Sequence, residues 1–600
     1  MFEKMEVKGK RRFKGEEKTD PKRPKTERLD GPTVGYFRRV SDRLSKGFTE
    51  EEEKALFVEN VLSEVRGKAA IISTDRTGSL TLERLLSLAS PAQVAEVLAE
   101  LGGETGSEFI SVSCNQCGGH VMESALKQAH RWTEESTAEE DAEGTEDDEE
   151  HCGKLEAEVK RLCGVVRENM TVFLKDPYGS HVLRTLIQML AGSLTRDAPA
   201  AQTGQNKPIR PKKPNPEVFD FEIPVSFWWE LKHLSDCLME NVNVCVSSSN
   251  SSIALQTLLN VAHRKRPILC KKLIKGIMGY LTSLSSAPGV SPLLVFLKDQ
   301  SSSHLMQTVF SFSQKALLQD LYKNHLRKQL MDLALHPIAN FTVQSFITAA
   351  AHCKAFPKIF DELMEGFEAI LARDHMGVVV QILESCIHWE EKQNEMLQRL
   401  LQAFHCSEPA SLQVSCLPLF LSLLTYEVYY NTETAEGDAV TQPARSLSIC
   451  YHGSRMVQAL ARFKDRTVLM NSLYSLSSAD LLILGTDRNG SHALQMMVTA
   501  SSDKSRGRIL KKLEELYVDL ACSSCGSRVL EAVWNSANVS QRESIAKKLV
   551  PSETQLRSDQ FARHVWRNFG LANFVRRRAE WQEFQTGESK KRKMFSDILQ

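Results

Sequence analysis

The sequence predicts an all-α protein in which about eleven helical repeats stack into a solenoid. A turn followed by an apolar helix recurs along the chain, and six of the ten intervals between successive copies are 36 to 40 residues long. The copies are rich in Leu, Val and Ala and do not alternate apolar with polar residues as strands do. Because one such unit cannot bury its apolar face alone, its neighbours are expected to complete a continuous core.

The clearest copy begins with a turn at Asp487 and Gly490 and continues as an apolar helix. Ser491 and Gln495 fall one turn apart on the same face of that helix, and His492 lies beside them. Two hydrogen-bonding groups flanked by a ring suit the edge and the face of a nucleobase. This copy therefore points to nucleic-acid recognition.

The glycine of this turn defines a register that we call the slot. The four intervals that exceed 40 residues run from 51 to 76 residues and predict inserted segments. From repeat 1 to repeat 11, the slot residues are Gly78, Gly118, Gly179, Ser251, Ser302, Ala339, Gly377, Gly453, Gly490, Gly526 and Ala562.

The residues one, two and five places after the slot are called the recognition trio. An amide can donate to and accept from a base edge, Glu accepts, and rings or guanidinium planes stack on bases for roughly 1–3 kcal/mol each. In a single copy these are most simply exposed helix residues, but their recurrence at one register favours RNA contact. The candidates are Ser180 and His181 in repeat 3, where Arg184 is third; Ser303, His304 and Gln307; Asn340, Phe341 and Gln344; Ser454, Arg455 and Gln458; Ser491, His492 and Gln495; and Ser527, Arg528 and Glu531.

Other copies are weaker. RNA contact is not expected from Leu80, Ile253 or Val379, which are apolar at the second position. In repeat 7 both Val378 and Val379 replace polar or ring residues, so a gap in the base-reading row is predicted near the middle of the chain.

The repeat resembles that of the Pumilio (PUF) superfamily over about residues 55–570. The resemblance implies three-helix repeats in a C- or U-shaped solenoid that reads one base per repeat. In that family Asn with Gln reads uracil, Ser with Gln reads adenine, and Ser with Glu reads guanine. Carried over, repeat 6 would favour uracil, repeats 5, 8 and 9 adenine, and repeat 10 guanine.

Eleven copies, several of them degenerate, with inserted loops and basic ends, look like the nucleolar Pumilio-like family numbered nine among nucleolar proteins. That resemblance implies a non-enzymatic protein of the nucleus and nucleolus that acts in small-subunit ribosome assembly. It would bind precursor rRNA near the 3′ end of the small-subunit RNA and restrain premature endonucleolytic cleavage. Its partners would be this RNA and proteins of the pre-ribosomal particle, and it would act as a monomer. Because the family combines single-stranded with structured RNA, a strict code is not implied.

Charge is balanced overall but unevenly distributed. Lys plus Arg and Asp plus Glu each number 75, yet residues 134–150 hold eleven acids and no base. The rest of the chain is therefore net positive by eleven charges, which is compatible with phosphate contacts. The acidic segment could repel wrong ligands, mimic nucleic acid or bind a basic partner, although a solvated loop is the simpler interpretation.

The composition predicts five segments along the chain. They are a basic disordered tail at 1–48; repeats 1–7 at 49–390, interrupted by the acidic loop 134–150 and a flexible Pro- and Lys-rich loop at 191–220; connecting helices and a loop at 391–440; repeats 8–11 at 441–572; and a basic tail at 573–600, in which 590–593 resembles a nuclear localisation signal.

Several site classes are not expected. The 14 cysteines are scattered in apolar helical stretches, which is typical of a reducing compartment, and the N-terminus lacks the apolar core of a signal peptide. The pairs Cys114/Cys117 and Cys522/Cys525 share one offset from the slot, so the repeat explains their spacing and no metal or cofactor is expected. The uncharged run 409–426 fits a buried helix pair better than a membrane span.

No nucleophile or metal-protease motif supports catalysis. Two alternatives to the ribosomal role stay open from the residues alone. One is a protein-binding scaffold of the HEAT or armadillo kind, and the other is a Pumilio-type regulator that binds messenger RNA.

Overall fold

The computed structural model describes residues 29–132, 153–196, 217–284, 291–430 and 446–599, and these residues are largely helical. They form eleven repeats of three helices each, which confirms the predicted all-α repeat solenoid. In each repeat a short first helix leads into a second helix that carries the trio positions, and a third helix follows.

The chain folds as two compact units, residues 1–245 with 253–261 and residues 246–252 with 262–600. Repeats 1–4 comprise the helices Ala69–Thr74, Arg76–Leu86 and Pro91–Gly102; Ser107–Ser113, Gln116–Lys127 and Lys154–Glu168; Met170–Lys175, Pro177–Leu190 and Val225–Glu240; and Val242–Ser247, Ser249–Lys265 and Pro267–Ser283.

Repeats 5–11 lie mainly in the second unit. Their helices are Pro292–Lys298, Gln300–Phe312 and Lys315–Leu321; Leu330–Ala334, Ala339–Ala350 and Phe356–Met364; Phe367–Ala372, Met376–Cys386 and Glu390–Ala403; Cys416–Ser422, Tyr451–Leu460 and Thr467–Ser475; Ser478–Thr486, Gly490–Thr499 and Asp503–Leu513; Tyr517–Ala521, Gly526–Ser536 and Val539–Leu549; and Glu553–Ser558, Ala562–Asn568 and Leu571–Arg576.

Other elements flank or interrupt the repeats. They are the helices Gly31–Lys46, Glu51–Val65, Tyr426–Tyr430 and Arg578–Leu599, the 3₁₀ turns Gln128–Arg131, Ala410–Ser415, Glu514–Leu516 and Val550–Ser552, the π turn Tyr322–Leu326, and the strands β1 (Ser193–Arg196) and β2 (Glu217–Asp220).

Second helices of successive repeats pack side by side. In the first unit, those of repeats 1, 2 and 3 follow one another and form what we call the N-terminal row. In the second unit, those of repeats 5 to 11 do the same and form the C-terminal row. Apolar residues between the rows and the other helices build the core; Leu82, Leu183, Ile347, Leu494 and Leu530 are all fully buried.

The residue three places before the slot caps the second helix in nine repeats. One carboxylate oxygen of each capping Asp accepts the backbone N–H groups of the slot residue and its predecessor at 2.7–3.0 Å. Such caps satisfy N–H groups that have no partner inside the helix. The capping residues are Asp75, Asn115, Asp176, Asp299, His336, Cys450, Asp487, Ser523 and Asp559.

The slot glycine allows the first and second helices to touch. A Cβ atom added at Gly78, Gly118, Gly490 or Gly526 would lie 2.5–2.6 Å from the carbonyl oxygen six residues earlier, in the first helix. In repeat 5 the hydroxyl of Ser302 donates to the carbonyl six residues earlier at 2.8 Å. The recurring glycine is therefore a packing requirement.

The register of repeat 7 differs from the prediction by one residue. Its second helix begins at Met376, whereas those of repeats 6, 9 and 10 begin at their slot residues. A Cβ added at Gly377 would meet the side chain of Gln344 in repeat 6 rather than a first-helix carbonyl. Met376 therefore occupies the slot, and Gln381 takes the third trio position. The spacing of the repeats in the sequence had predicted Gly377 as the slot residue instead.

Both predicted tails contain packed helices. Residues 31–46 form a helix capped by Asp30, and Phe37 and Val40 are buried against repeat 1, where Thr81 donates to the Phe37 carbonyl at 3.2 Å. At the other end, Arg578–Leu599 packs on repeats 10 and 11. The basic composition of these segments predicted disorder because only a few apolar side chains anchor each helix.

The predicted loop 191–220 begins and ends in strands. β1 and β2 pair antiparallel, with Ser193 opposite Asp220. The prediction of a loop throughout was wrong at these edges, where backbone pairing needs no long apolar run. Residues 197–216 between the strands lie outside the described part, as do residues 1–28, the whole acidic loop 134–150 and residues 431–445.

Candidate RNA-binding surface

The second trio residue is the accessible one. His181, His304, His492 and Arg528 are exposed, and Phe341 is 54% exposed although it is large and apolar. Each projects from the same position of a second helix, so neighbouring repeats present their rings and guanidinium groups in series. Such planes can hold bases by stacking.

First trio residues are buried in all but one of the six stronger repeats. Ser180, Ser303, Asn340, Ser454 and Ser491 are 2–3% exposed, whereas Ser527 is half-buried. Most of these hydroxyls donate to the carbonyl three residues earlier in the chain, as Ser180 does to Pro177 at 2.8 Å. Only the lone pairs of such a hydroxyl are free to accept from a ligand.

Third trio residues are half-buried, and in two repeats the side chain of the third residue bonds to the side chain of the first. Gln344 Nε2 donates to Asn340 Oδ1 at 3.1 Å, and Gln458 Nε2 donates to Ser454 Oγ at 3.0 Å. Because these bonds fix the amide orientation, the remaining groups of each glutamine are held ready for a base edge.

Polar bonds also join neighbouring repeats along the C-terminal row. Ser454 Oγ donates to the Asn489 carbonyl at 2.6 Å, and Thr348 donates to Gln381 Oε1 at 2.6 Å. Arg455 forms an ion pair with Glu384 of repeat 7, and this hydrogen bond raises the pKa of the guanidinium. Arg455 is thus held by a carboxylate of the neighbouring repeat.

In the corrected register, the predicted gap in repeat 7 covers the first and second trio positions, which Gly377 and Val378 occupy. Val378 and Val379 are fully buried, so neither can stack on a base. Gln381, in the corrected third position, is half-buried and supplies a polar group that the sequence register had missed.

The N-terminal row contains a cleft of about 370 Å³. Trio positions of repeats 1 to 3 line it, including those of repeats 1 and 2, which are weak copies. The sequence held a signal for them, because Glu83 and Glu123 stand at the third trio position. The charged and titratable lining residues are Glu83, His120, Glu123, Lys127, His181 and Arg184.

Burial tunes the charges of this cleft. It raises the pKa of the Glu83 carboxyl, an effect that His120 opposes and Glu123 reinforces. Burial also lowers the pKa of His181, and Arg184 lowers it further. A His181 ring kept neutral near pH 7 can stack without repelling the adjacent arginine.

The residues that the structure describes hold no cluster of three or more His, Cys, Asp or Glu side chains able to bind a metal. Burial, followed by Asp176, raises the pKa of the Cys114 thiol to about 12. Among the same residues, no single helix combines the length and apolarity needed to cross a bilayer; the pair Thr467–Ser475 and Ser478–Thr486 does so only jointly, with a bend of 112°.

Comparison with known protein families shows the family to which the chain belongs. The model of the NOP9-like PUF repeat domain matches residues 67–564. The chain belongs to this family. Nucleolar protein 9 of Homo sapiens is 36% identical over 583 residues, which cover 95% of this chain and 91% of the relative. The Mus musculus protein of the same name is 37% identical over 588 residues, with the same coverage.

A solved structure of a PUF-repeat protein has the same fold. The structure of APUM23-GGAAUUGACGG is 22% identical, with a TM-score of 0.71, and the match covers 93% of this chain and 99% of that one. The NOP9-like family is an RNA-binding family of ribosome biogenesis rather than an enzyme class. Its members' name also shows a nucleolar, and hence nuclear, location.

Proposed function

We propose that this NOP9-like protein binds precursor rRNA near the 3′ end of the small-subunit RNA and restrains its premature cleavage. The observation that carries the proposal is the series of exposed rings and guanidinium groups at one position of successive second helices. A single strand laid along such a row can place one base against each plane.

The trio chemistry supports base reading by some repeats rather than all. In repeats 5, 6 and 9 an exposed ring stands beside a half-buried glutamine, which can donate to and accept from a base edge. Repeat 10 pairs Arg528 with Glu531, and a carboxylate only accepts, which favours a donor-rich edge such as that of guanine. Repeat 7 lacks a stacking residue, so a strand would bridge it.

The cleft of the N-terminal row adds two more acceptors. Glu83 and Glu123 both line it, together with Lys127 and Arg184. Carboxylates repel phosphates but accept from base N–H groups, whereas the two cations attract the backbone. We therefore propose that this cleft takes a donor-rich base, with the phosphates directed toward the cations.

The proposed mechanism requires only that the protein stays bound to the RNA at the cleavage site. RNA held along the rows is shielded from an endonuclease, and release of the RNA exposes the cleavage site. The APUM23 structure contains the RNA sequence GGAAUUGACGG, a ligand of the class that we propose for this chain. Action as a monomer alongside proteins of the pre-ribosomal particle belongs to the same proposal.

Crosslinking of bound RNA in cells, mapped to transcripts, tests the proposal. Protected sites should cluster around the 3′ end of the small-subunit RNA within its precursor, and purified protein should slow endonuclease cleavage there. Crosslinks confined to messenger RNA would indicate a regulator instead. A protein that yields no crosslinks would be a scaffold for other proteins.

A further inference from the structure

A second cationic surface lies away from the trios, between the third helices of repeats 5 and 6. We call it the third-helix groove; its volume is about 220 Å³. Its cations are Lys323 and Arg327 from the turn after Lys315–Leu321, and Lys354 and Lys358 from the start of Phe356–Met364 and the turn before it. None of its lining residues belongs to a second helix, so the groove is not part of the base-reading rows.

The groove is built on a buried tyrosine. A π turn extends the third helix of repeat 5, and the Arg327 N–H donates to the Tyr322 carbonyl at 2.8 Å. Tyr322 is 5% exposed, and its hydroxyl donates to Glu362 Oε2 at 3.1 Å. The other Glu362 oxygen accepts the Leu330 N–H at 3.0 Å. Both oxygens of this carboxylate are therefore engaged within the protein beneath the cations.

The four cations of the groove extend into solvent without ion-pair partners among the described residues. Lys323, Arg327, Lys354 and Lys358 are exposed, and none has a carboxylate within ion-pair distance in that part of the chain. Two lysines in the third helices of other repeats are paired: Lys392 contacts Asp361 at 2.6 Å, and Lys548 contacts Glu515 at 3.0 Å. Four unpaired cations around one depression repel each other unless an anion enters.

We propose that the third-helix groove binds the phosphodiester backbone of RNA, as a contact separate from the trio rows. A phosphate group can enter the groove and accept hydrogen bonds from the Arg327 guanidinium together with the lysine ammonium groups. An acidic peptide fits less well, because the lining offers one small apolar residue, Ala355, and a ring already buried in the protein. Protein partners usually need a larger apolar anchor.

This site goes beyond the proposed base reading, because backbone contacts carry no sequence information. It would hold a flanking part of the same RNA or a second RNA segment. A duplex is the discriminating probe, because paired bases cannot be splayed against the trios while the phosphates remain accessible.

Binding of a fluorescent RNA duplex of about 16 base pairs by the full chain tests the groove. The variant K323A/R327A/K354A/K358A should bind it about tenfold more weakly near 0.1 M salt, with a log–log salt slope shallower by up to about 3.6 units, at roughly 0.9 for each of the four lost contacts. The conservative variant K323R/K354R/K358R should retain the wild-type affinity, since it keeps the charge at each position.

The matched control K504A/R508A/K511A/K512A removes the same charge from the third helix of repeat 9. Its duplex affinity should stay within about twofold of wild type, which separates a local site from a net-charge effect. Equal losses in both variants, or none in the groove variant, would overturn the proposal. Loss of binding to an oligoglutamate peptide with unchanged duplex binding would also overturn it and would identify an acidic protein partner.

Discussion

At the scale of single residues, Arg455 differs from the other stacking candidates because Glu384 of the preceding repeat already holds it. RNA that stacks on this guanidinium must either share it with the carboxylate or break the pair. A partly exposed pair of this kind contributes about 0–1 kcal/mol, so the restraint on binding is small but measurable.

Replacing Glu384 with Gln should therefore strengthen RNA binding by about two- to fivefold, since it frees Arg455 and removes a charge that repels phosphate. Titration of the protein with labelled RNA from the 3′ region of the small-subunit precursor measures this change in affinity. Glu368→Gln, which removes an exposed carboxylate from the first helix of the same repeat, is the matched control and should change nothing. Weaker binding by Glu384→Gln would show that the pair positions Arg455 for RNA.

Sequence could predict the register of the trios in most repeats and the chemistry that their side chains carry, because the repeat spacing fixes these positions. It could not predict that Ser303 or Ser491 would be buried and bonded to backbone, since that depends on how adjacent repeats close together. Glu83 and Glu123 were missed because Leu80 and Gly119 make their copies weak. Comparison of third positions alone would have found them.

At the scale of helices, the slot glycine sets how closely the first and second helices approach. Gly490→Ala should lower the free energy of unfolding of repeat 9 by about 1–3 kcal/mol, because the new Cβ would meet a backbone carbonyl that cannot move alone. Gly507→Ala in the third helix of the same repeat should instead stabilise it by about 0.5–1 kcal/mol, since its Cβ meets only the Gln541 amide at 3.6 Å. Hydrogen exchange of repeat 9 amides measures both, and equal effects would contradict the packing role.

The C-terminal helix covers the open end of the last repeat. Trp581 is 2% exposed, and its Nε1 donates to the Phe569 carbonyl at 2.9 Å. Nearby, Arg542 of repeat 10 is 1% exposed. It donates at 2.9 Å to Gln585, which belongs to the C-terminal helix, as Trp581 does. Terminal repeats of solenoids need such a cover because they have no further neighbour.

Trp581→Ala should destabilise the C-terminal end by about 3–5 kcal/mol, through lost ring burial and a lost hydrogen bond. Amides of repeats 10 and 11 should exchange faster, whereas those of repeats 5 and 6 should not, because solenoid repeats interact with their neighbours only. Phe584→Ala is the control, since that ring is 64% exposed. Uniform loss of protection along the chain would contradict local capping.

The end helices and strands explain where element prediction failed. Basic composition predicted disorder at 1–48 and 573–600, although a few apolar residues such as Phe37 and Trp581 are enough to dock a helix onto a finished repeat. β1 and β2 carry no alternating pattern because a four-residue ladder is held by backbone bonds. Both errors arise from tertiary context that a local pattern does not contain.

At the scale of the whole molecule, repetition made the fold predictable. Each copy was weak, but eleven copies at one register predicted the number of repeats and the position of their second helices. Repeat 7 shows the limit: a conspicuous glycine lay one residue from the position that the packing uses. Register is fixed by contacts with neighbouring repeats, and these are absent from the local sequence.

RNA binding through the trios is the claim on which the proposed function depends. The triple variant H492A/Q495A/R528A, titrated with RNA from the 3′ region of the small-subunit precursor, tests it most directly. The control K504A/R508A/K511A removes more charge from the same part of the chain but no trio residue. The trio variant should lose at least about 3 kcal/mol of binding free energy, a more than hundredfold loss of affinity, whereas the control should change little. Unchanged affinity in the trio variant would contradict it.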